Sequence, residues 1–335
     1  MDDKCILPPK ADIARIPTPV EPLMNVPFDM NGCEIYIKRD DLTGSLLQGN
    51  KIRKLEYFLS DIKSQKAGIL ISCGGLQSNH CRAVAALASR VNLKSVLFLR
   101  GREPEVPSAN VLIDKLVGAE IKYVTAPEYF RIEEIMADYA EKLREKGFNP
   151  YIIPEGGSNA LGLCGYFNCY NEIREWSGEN NIHFDYIITA TGSGGTYGGL
   201  IAANRYYGDH TAIIGINVCY TSDHFINRIS KYIAGFKKAY CPELDVRRRD
   251  FRIYDGFVGN GYALSRREEL VVLRDLCKAS GIMLDPVYTG KAFFGMLDLM
   301  RKRIIPPKSQ VLFLHTGGIW GVMAIGERFK KYELI

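Results

Sequence analysis

The sequence predicts an α/β fold in which parallel strands are covered by helices on both faces, and three observations predict it. Short β-branched runs alternate with helical patterns along the chain. Three of these runs lead straight into glycine-rich turns. The composition, 335 residues with 47% hydrophobic and 24% charged side chains, is ordinary globular material, long enough for one large core or two moderate ones, and two lobes fit the pattern better.

The first predicted strand, Glu34 to Lys38, ends in Lys38-Arg39-Asp40-Asp41. Ile52, Leu55, Phe58, Leu59 and Ile62 follow at i, i+3, i+4 spacing, which predicts a helix. Strands come next at Gly68 to Ser72 and, beyond a helix over Ser78 to Val91 with its alanine-rich stretch, at Ser95 to Leu99. Ile121 to Val124 is a further strand, and Phe130 to Lys146 a further helix. Between Pro150 and Asn159 the chain changes character at Pro154-Glu155-Gly156-Gly157-Ser158, which separates two βα series; another break comes soon after Lys51. The second series comprises helix Asn159 to Trp176, strand Tyr186 to Ala190, helix Thr196 to Tyr207, strand Ala212 to Val218, helices Arg266 to Ser280 and Lys291 to Lys302, and strand Val311 to Leu314. A chain that crosses more than once between two α/β lobes leaves a cleft between them, where small molecules bind.

Several classes of function are disfavoured. The net charge of +5 is mild. The densest basic runs, Lys237-Lys238 and Arg247-Arg248-Arg249, lack interleaved aromatics and read as solvated faces, so no nucleic-acid partner is expected. The nine cysteines are an odd number without a C-x-x-C pair, which predicts free thiols in a reducing cytoplasm. The acidic start Met1-Asp2-Asp3-Lys4, followed by Pro8-Pro9, and the lack of any apolar run near 18 residues predict neither a targeting nor a membrane-spanning segment. His80, His183, His210, His224 and His315 show no ligand spacing, and no metal is expected.

Lys51, in Gly49-Asn50-Lys51-Ile52-Arg53-Lys54, lies between a strand and a helix, an address where active-site residues gather. An amine that condenses with a carbonyl must spend time unprotonated, and Arg53 and Lys54, with partial burial, are expected to lower its pKa. A solvated surface lysine is the plainer reading, so the case depends on three glycine-rich junctions. The first, Ser72-Cys73-Gly74-Gly75-Leu76-Gln77-Ser78-Asn79-His80, precedes a helix whose first N–H groups suit a substrate carboxylate, with Ser78 and Asn79 adding side chains there. Simple N-capping by Ser78 or Asn79 explains one polar residue at that point, not the whole run Gln77 to His80. The second, Thr191-Gly192-Ser193-Gly194-Gly195-Thr196, offers backbone donors, hydroxyls and a helix dipole to a single phosphate; a turn needed only for tight packing is the alternative. No Gly-Lys-Ser/Thr follows, and Tyr197 occupies the place of the third glycine of a dinucleotide fingerprint. In the third, His315-Thr316-Gly317-Gly318, the Thr316 hydroxyl suits a ring nitrogen or a ligand oxygen. Tyr262 and Tyr288 sit in glycine-bounded loops, either as site phenols or as packed tyrosines with satisfied hydroxyls.

A carbonyl-holding lysine, a cup for one phosphate and an anion-binding helix start point together to pyridoxal 5′-phosphate, an electron sink for the carbanion beside an amino acid nitrogen. Gly49-Asn50-Lys51, Gly74 to His80, Thr191 to Thr196, Asp285-Pro286-Val287-Tyr288-Thr289-Gly290-Lys291 and His315 to Gly318 resemble the 1-aminocyclopropane-1-carboxylate deaminase and D-cysteine desulfhydrase family, in the family's order and over nearly the whole chain. The resemblance implies a tryptophan-synthase-β-like (type II) fold: two three-layer α/β/α domains with largely parallel sheets, residues 1–53 and 160–335 forming the large cofactor-binding domain and 54–159 the small one. It also implies a homodimer. By the same resemblance Lys51 holds the cofactor covalently, Asn79 contacts its phenolic oxygen, and Gly192, Ser193, Gly194, Gly195 and Thr196 hold its phosphate, with Asn50, Thr191, Thr289 and Thr316 also at the cofactor. Ser78 stands near the substrate carboxylate, Tyr262 and Tyr288 face the substrate, and Gln77, His80 and Gly317 join them.

Deaminases of that family characteristically carry Glu after the tyrosine of the Val-Tyr motif and Leu after the late histidine, where this chain has Thr289 and Thr316. A carboxylate near the pyridine nitrogen deepens the sink for ring opening; a threonine hydroxyl gives a weaker sink that suffices for α-proton removal and β-elimination. The expected reaction is therefore conversion of D-cysteine to pyruvate, sulfide and ammonia, with Lys51 as base and Tyr288 or Ser78 assisting. The alternatives are cyclopropane deamination to 2-oxobutyrate, a cysteate sulfo-lyase, which needs an extra cation near the β-substituent that the sequence does not place, and a catalytically silent protein that binds the cofactor.

Overall fold

In the computed structural model residues 5–335 are described, and their strands form two sheets. The chain opens with β1 (Val20–Pro22) and β2 (Glu34–Lys38), then leaves through helix α1 (Asn50–Ser64). A contiguous stretch follows: β3 (Ile69–Gly75), α2 (Asn79–Arg90), β4 (Lys94–Arg100), α3 (Ala109–Leu116), β5 (Glu120–Val124), the short α4 (Ala126–Tyr129), α5 (Ile132–Glu145) and β6 (Pro150–Ile152). Helix α6 (Ala160–Asn180) carries the chain back to β7 (Tyr186–Thr191), α7 (Gly195–Tyr207), β8 (Ala212–Asn217), α8 (Ser222–Tyr240), β9 (Arg252–Tyr254), α9 (Arg267–Ser280), α10 (Thr289–Arg301), β10 (Gln310–Leu314) and α11 (Gly326–Lys331).

The larger sheet has the order β1-β2-β10-β7-β8-β9, and only the β1–β2 pair is antiparallel. The smaller, β5-β4-β3-β6, is parallel throughout. Side chains alternate across a strand, so neighbours such as Ile187 and Ile188, Ile213 and Ile214, or Leu312 and Phe313 face opposite ways, yet all are buried. One set packs with Leu163, Phe167 and Leu200 of α6 and α7, the other with Leu273, Phe293 and Met296 of α9 and α10. The smaller sheet repeats the pattern, Leu70 and Leu97 packing under α1 and α2, and Ile71 and Phe98 against Met136 and Ala140 of α5. Both sheets are thus the middle layer of three, as expected of near-continuous apolar runs in parallel strands.

Every strand inferred from periodicity is present, with small shifts at the ends; β3 runs on from Ser72 to Gly75 and so reaches the glycine pair. Periodicity alone passes over β1, β6 and β9. Each is three residues long and lies at a sheet edge, and β1 and β6 contain Pro22 and Pro150, a residue tolerated at edges because it has no N–H to donate inward. Four helices, α3, the short α4 and α11, and the long α8, also fall outside the predicted set, although Phe225, Ile229, Ile233 and Phe236 of α8 are buried in helical spacing. Among the described residues, no helix is long and apolar enough to cross a membrane.

Candidate active site

The C-terminal ends of β3, β4, β7 and β10 and the first turn of α1 surround a cleft of about 250 Å³, which opens at the switch between the two sheets. Its walls include Asn50, Lys51, Ser78, Asn79, His80, Gly192, Ser193, Gly194, Thr196, Tyr262, Tyr288, Thr316 and Gly317. These residues, spread from position 50 to 317, are brought to one place by the fold.

Lys51 is placed by a backbone clasp. Gly49 has φ +93, and a Cβ there would stand 2.7 Å from the Thr316 carbonyl oxygen, so only glycine lets the two loops approach. The next amide, Asn50 N–H, donates to that same carbonyl at 3.0 Å, and the Asn50 side chain donates to Thr196 Oγ1 at 2.9 Å. The exposed part of Lys51 faces the cleft, not the outer surface, and burial pushes its pKa down to about 8, against the pull of Glu155 and Asp285. A usable fraction of the amine is therefore neutral near physiological pH.

Arg53 does not contribute to that shift in the way expected. Its guanidinium turns into a buried network, with Nε and Nη2 on the Asp40 carboxylate at 2.8 Å each and Nη1 on Glu172 at 2.6 Å. Lys38 joins Glu172 at 2.8 Å, and Thr18 and Tyr166 donate to Asp40 at 2.8 and 2.5 Å. Burial alone would raise the Asp40 carboxyl, but the Arg53 charge overrides it and holds it below its usual value. The network ties the first turns of α1 to β2 and α6, fixing the helix that presents Lys51.

Lys54, one turn from Lys51, is fully buried and reaches only neutral partners, the Gly156 carbonyl and Ser158 Oγ, each at 3.2 Å. Burial, then the charge of Lys51, drives its pKa well below the usual lysine value. Its Nζ lies directly behind the glycine loop: a Cβ on Gly195 would stand 2.5 Å from Ser158 Oγ and 2.7 Å from Lys54 Nζ. A buried amine with no carboxylate partner among the described residues, behind a loop of backbone donors at the start of α7, lacks the anion that would let it hold its charge, and a phosphate supplies one. The residues present thus fit a phosphorylated carbonyl cofactor. Lys54 entered the sequence reading only as a neighbour of Lys51; the signal that assigns it to the loop is its i+3 spacing, which puts it on the same face of α1.

The helix α2 start behaves partly as expected. Ser78 caps it, accepting from Cys81 N–H at 3.1 Å, and the first amides, Asn79 and His80, have no intrahelical partner. His80 is buried, and its Nε2 meets Ser72 Oγ at 2.9 Å. Since the Ser72 hydroxyl donates to the Ile153 carbonyl, Nε2 is the donor, and Nδ1 is left with no partner among the described residues. Burial pushes the His80 pKa well down, so the ring is neutral. Tyr262 and Tyr288 meet hydroxyl to hydroxyl at 2.6 Å, and burial raises both phenols, keeping them protonated and able to donate.

Four expected residues stand outside the cleft walls. Gln77 turns to the loop before α3, donating to the Ser108 carbonyl and accepting from Asn110 N–H. Thr191 points its hydroxyl toward Gly215 of β8. Gly195 forms the back of the glycine loop, against Ser158 and Lys54. Thr289 donates its hydroxyl to Asp285 Oδ1 at 2.8 Å, so it is committed to that carboxylate and not to the cleft. Asp285, which residue reading passes over, is fully buried and accepts amide hydrogens from Val287, Tyr288 and Thr289, which makes it the organiser of the loop that carries Tyr288. Burial raises its carboxyl, against those hydrogen bonds. The segment read as a break, Pro154 to Ser158, is itself a wall: Ser158 Oγ bonds Ser193 Oγ at 2.8 Å, and Glu155 and Gly156 line the cleft.

Residues 12–317 match the family model described as pyridoxal-phosphate dependent enzyme. The chain is 44% identical over 321 residues to a Thermotoga maritima protein provisionally named a 1-aminocyclopropane-1-carboxylate deaminase, covering 95% of this chain and 99% of that one. It is 37% identical over 323 residues to a mitochondrial protein of Arabidopsis thaliana named a bifunctional D-cysteine desulfhydrase/1-aminocyclopropane-1-carboxylate deaminase, covering 92% of this chain and 78% of the other. Among solved structures, an ACC deaminase homologue superposes with a TM-score of 0.89 at 34% identity, over 97% of this chain and 96% of its own.

Proposed function

Since the chain belongs to the pyridoxal-phosphate-dependent enzymes, we propose that it catalyses α,β-elimination on a small β-substituted amino acid, D-cysteine and water giving pyruvate, sulfide and ammonia. The observation that carries the reading is the convergence of a part-neutral Lys51 amine, a free helix start and a protonated tyrosine pair on one cleft. A bound cofactor would supply the electron sink that stabilises negative charge at the substrate Cα. Asn50 and Lys51 position it from α1, while the amides of Gly192 to Thr196, with Lys54 behind them, hold its phosphate. The amides of Asn79 and His80 and the Ser78 hydroxyl orient the substrate carboxylate. Lys51 Nζ, part-neutral through burial, would take the α-proton, and the Tyr262–Tyr288 hydroxyl pair would pass a proton to the departing group.

Elimination is favoured over ring opening because threonine occupies both positions that distinguish the deaminases, and Thr316 lines the cleft. The name of the Arabidopsis relative keeps cyclopropane deamination as the second reading. Incubating the cofactor-loaded protein with D-cysteine, L-cysteine, β-chloro-D-alanine and 1-aminocyclopropane-1-carboxylate separates them. Pyruvate and sulfide from D-cysteine are expected; 2-oxobutyrate from the cyclopropane substrate alone would overturn the proposal. A homodimer in the cytoplasm belongs to the same reading, and nine free cysteines support the reducing compartment.

The close approach behind the phosphate loop carries its own expectation. Gly195→Ala forces Ser158 or Lys54 to move and should raise the cofactor dissociation constant about tenfold or more, measured by equilibrium dialysis. Unchanged affinity would show that Gly195 serves only the turn.

A further inference from the structure

Arg100 ends β4 directly opposite Gly75, the last residue of β3, and so lies one strand away from the turn that starts α2. Its side chain lines the cleft. The guanidinium sits 5.0 Å from the ring centre of Tyr129 and 5.5 Å from that of Tyr262, the tyrosine whose hydroxyl meets Tyr288. Among the described residues it has neither a hydrogen-bond acceptor nor a carboxylate partner. Glu155, the acidic residue on the same wall, is already engaged, accepting from Tyr129 Oη at 2.7 Å and pairing with Arg228 at 3.3 Å.

A guanidinium held over aromatic faces keeps its in-plane N–H donors free, and that fork matches a planar or tetrahedral oxyanion. The α-carboxylate does not need it, because the start of α2 supplies its own donors. A second anion on the substrate does. We propose that Arg100 is a specificity-determining residue that recognises an anionic β-substituent, so that the cleft, besides D-cysteine, takes amino acids with a charged group on the β-carbon, a sulfonate or carboxylate, and binds them more tightly than alanine, which has none. This rests on the amino acid reading given above, and places the α-carboxylate at α2 and the side-chain anion at the end of β4. It also supplies the cation near the β-substituent that the sequence alone does not locate.

Binding is read without turnover, from the visible absorbance of the cofactor-loaded protein titrated with both enantiomers of cysteate, aspartate and alanine. Cysteate or aspartate is expected to bind at least about tenfold more tightly than alanine, and Arg100→Gln to remove that advantage while changing alanine affinity by less than about threefold, as the loss of a charge-assisted contact predicts. Arg100→Lys, which keeps the charge without the fork, should retain part of the preference, and serves if the glutamine variant folds poorly. Equal loss for alanine and cysteate would make Arg100 structural, and an unchanged preference in either variant would overturn the proposal. If alanine perturbs the absorbance but no anionic analogue is preferred, the Arg100 inference fails alone; if no amino acid perturbs it, the functional reading fails with it.

Discussion

Replacing Lys51 with alanine is expected to lower turnover by at least about 10³-fold while leaving the thermal unfolding midpoint near that of the parent chain. The two halves of this expectation have separate origins. Lys51 makes no hydrogen bond or ion pair to another described residue through its side chain, and its burial in protein lowers its pKa, so removing the amine relieves a desolvation cost and breaks no network. The chemistry has no other candidate of the same kind, because Lys54 is held behind the glycine loop by Gly156 and Ser158. Lys51→Arg should fail almost as badly, since a guanidinium remains charged where a neutral amine is required. Steady-state pyruvate formation and a melting curve on the same preparation check both halves; an alanine variant keeping more than about a tenth of the activity would remove Lys51 from the reaction.

The second large effect falls on stability. Arg53→Met should cost about 3–5 kcal/mol, because it leaves the carboxylates of Asp40 and Glu172 buried against each other's surroundings with only Lys38 as a cation. Arg53 is 1% exposed and Asp40 0%, so water cannot take over the missing interactions. For a chain of this size the unfolding midpoint should fall by about 4–7 °C. Pairing the change with Asp40→Asn removes one of the stranded charges and should recover part of the loss, which distinguishes an unpaired charge from a simple packing defect. A single variant melting within about 2 °C of the parent would mean that the network is dispensable. Since the same helix presents Lys51, residual activity of the folded fraction reports how far the network also positions the amine.

How much of this was legible in the chain depends on whether the signal was local. The long strands and helices carry their period in their own residues, and the three glycine junctions announce themselves by composition. Ser78, Asn79, Ser193 and Thr196 sit at such junctions, Lys51, Tyr262 and Tyr288 lie within two residues of a glycine in other loops, and all line the cleft. What stayed hidden depends on tertiary contact. Gln77 has the right neighbours, but its side chain is claimed by Ser108 and Asn110 across a loop. Thr289 follows the tyrosine yet is bound by Asp285, four residues earlier, an acceptor whose burial no local pattern reveals. Lys54 looks like any helix-surface lysine until α6 and the Gly156 loop close over it. Arg100 is simply the end of a strand, and its meaning comes from Tyr129 and Tyr262, which approach it from elsewhere in the chain.

The strand order of the larger sheet also bears on when the protein can assemble during its synthesis. β10 leaves the ribosome after every other described strand, yet it lies between β2 and β7, near the middle of its sheet. A nascent chain that has emerged only to residue 300 holds every strand of the smaller sheet, all within residues 69–152, but lacks the piece that joins the two halves of the larger one. Until then β2 and β7 each present an unpaired inner edge, the kind of surface that invites aggregation or chaperone capture. The clasp between Gly49 and Thr316 arrives just after that same strand, so the backbone arrangement that places Lys51 cannot form until residue 316 has been made.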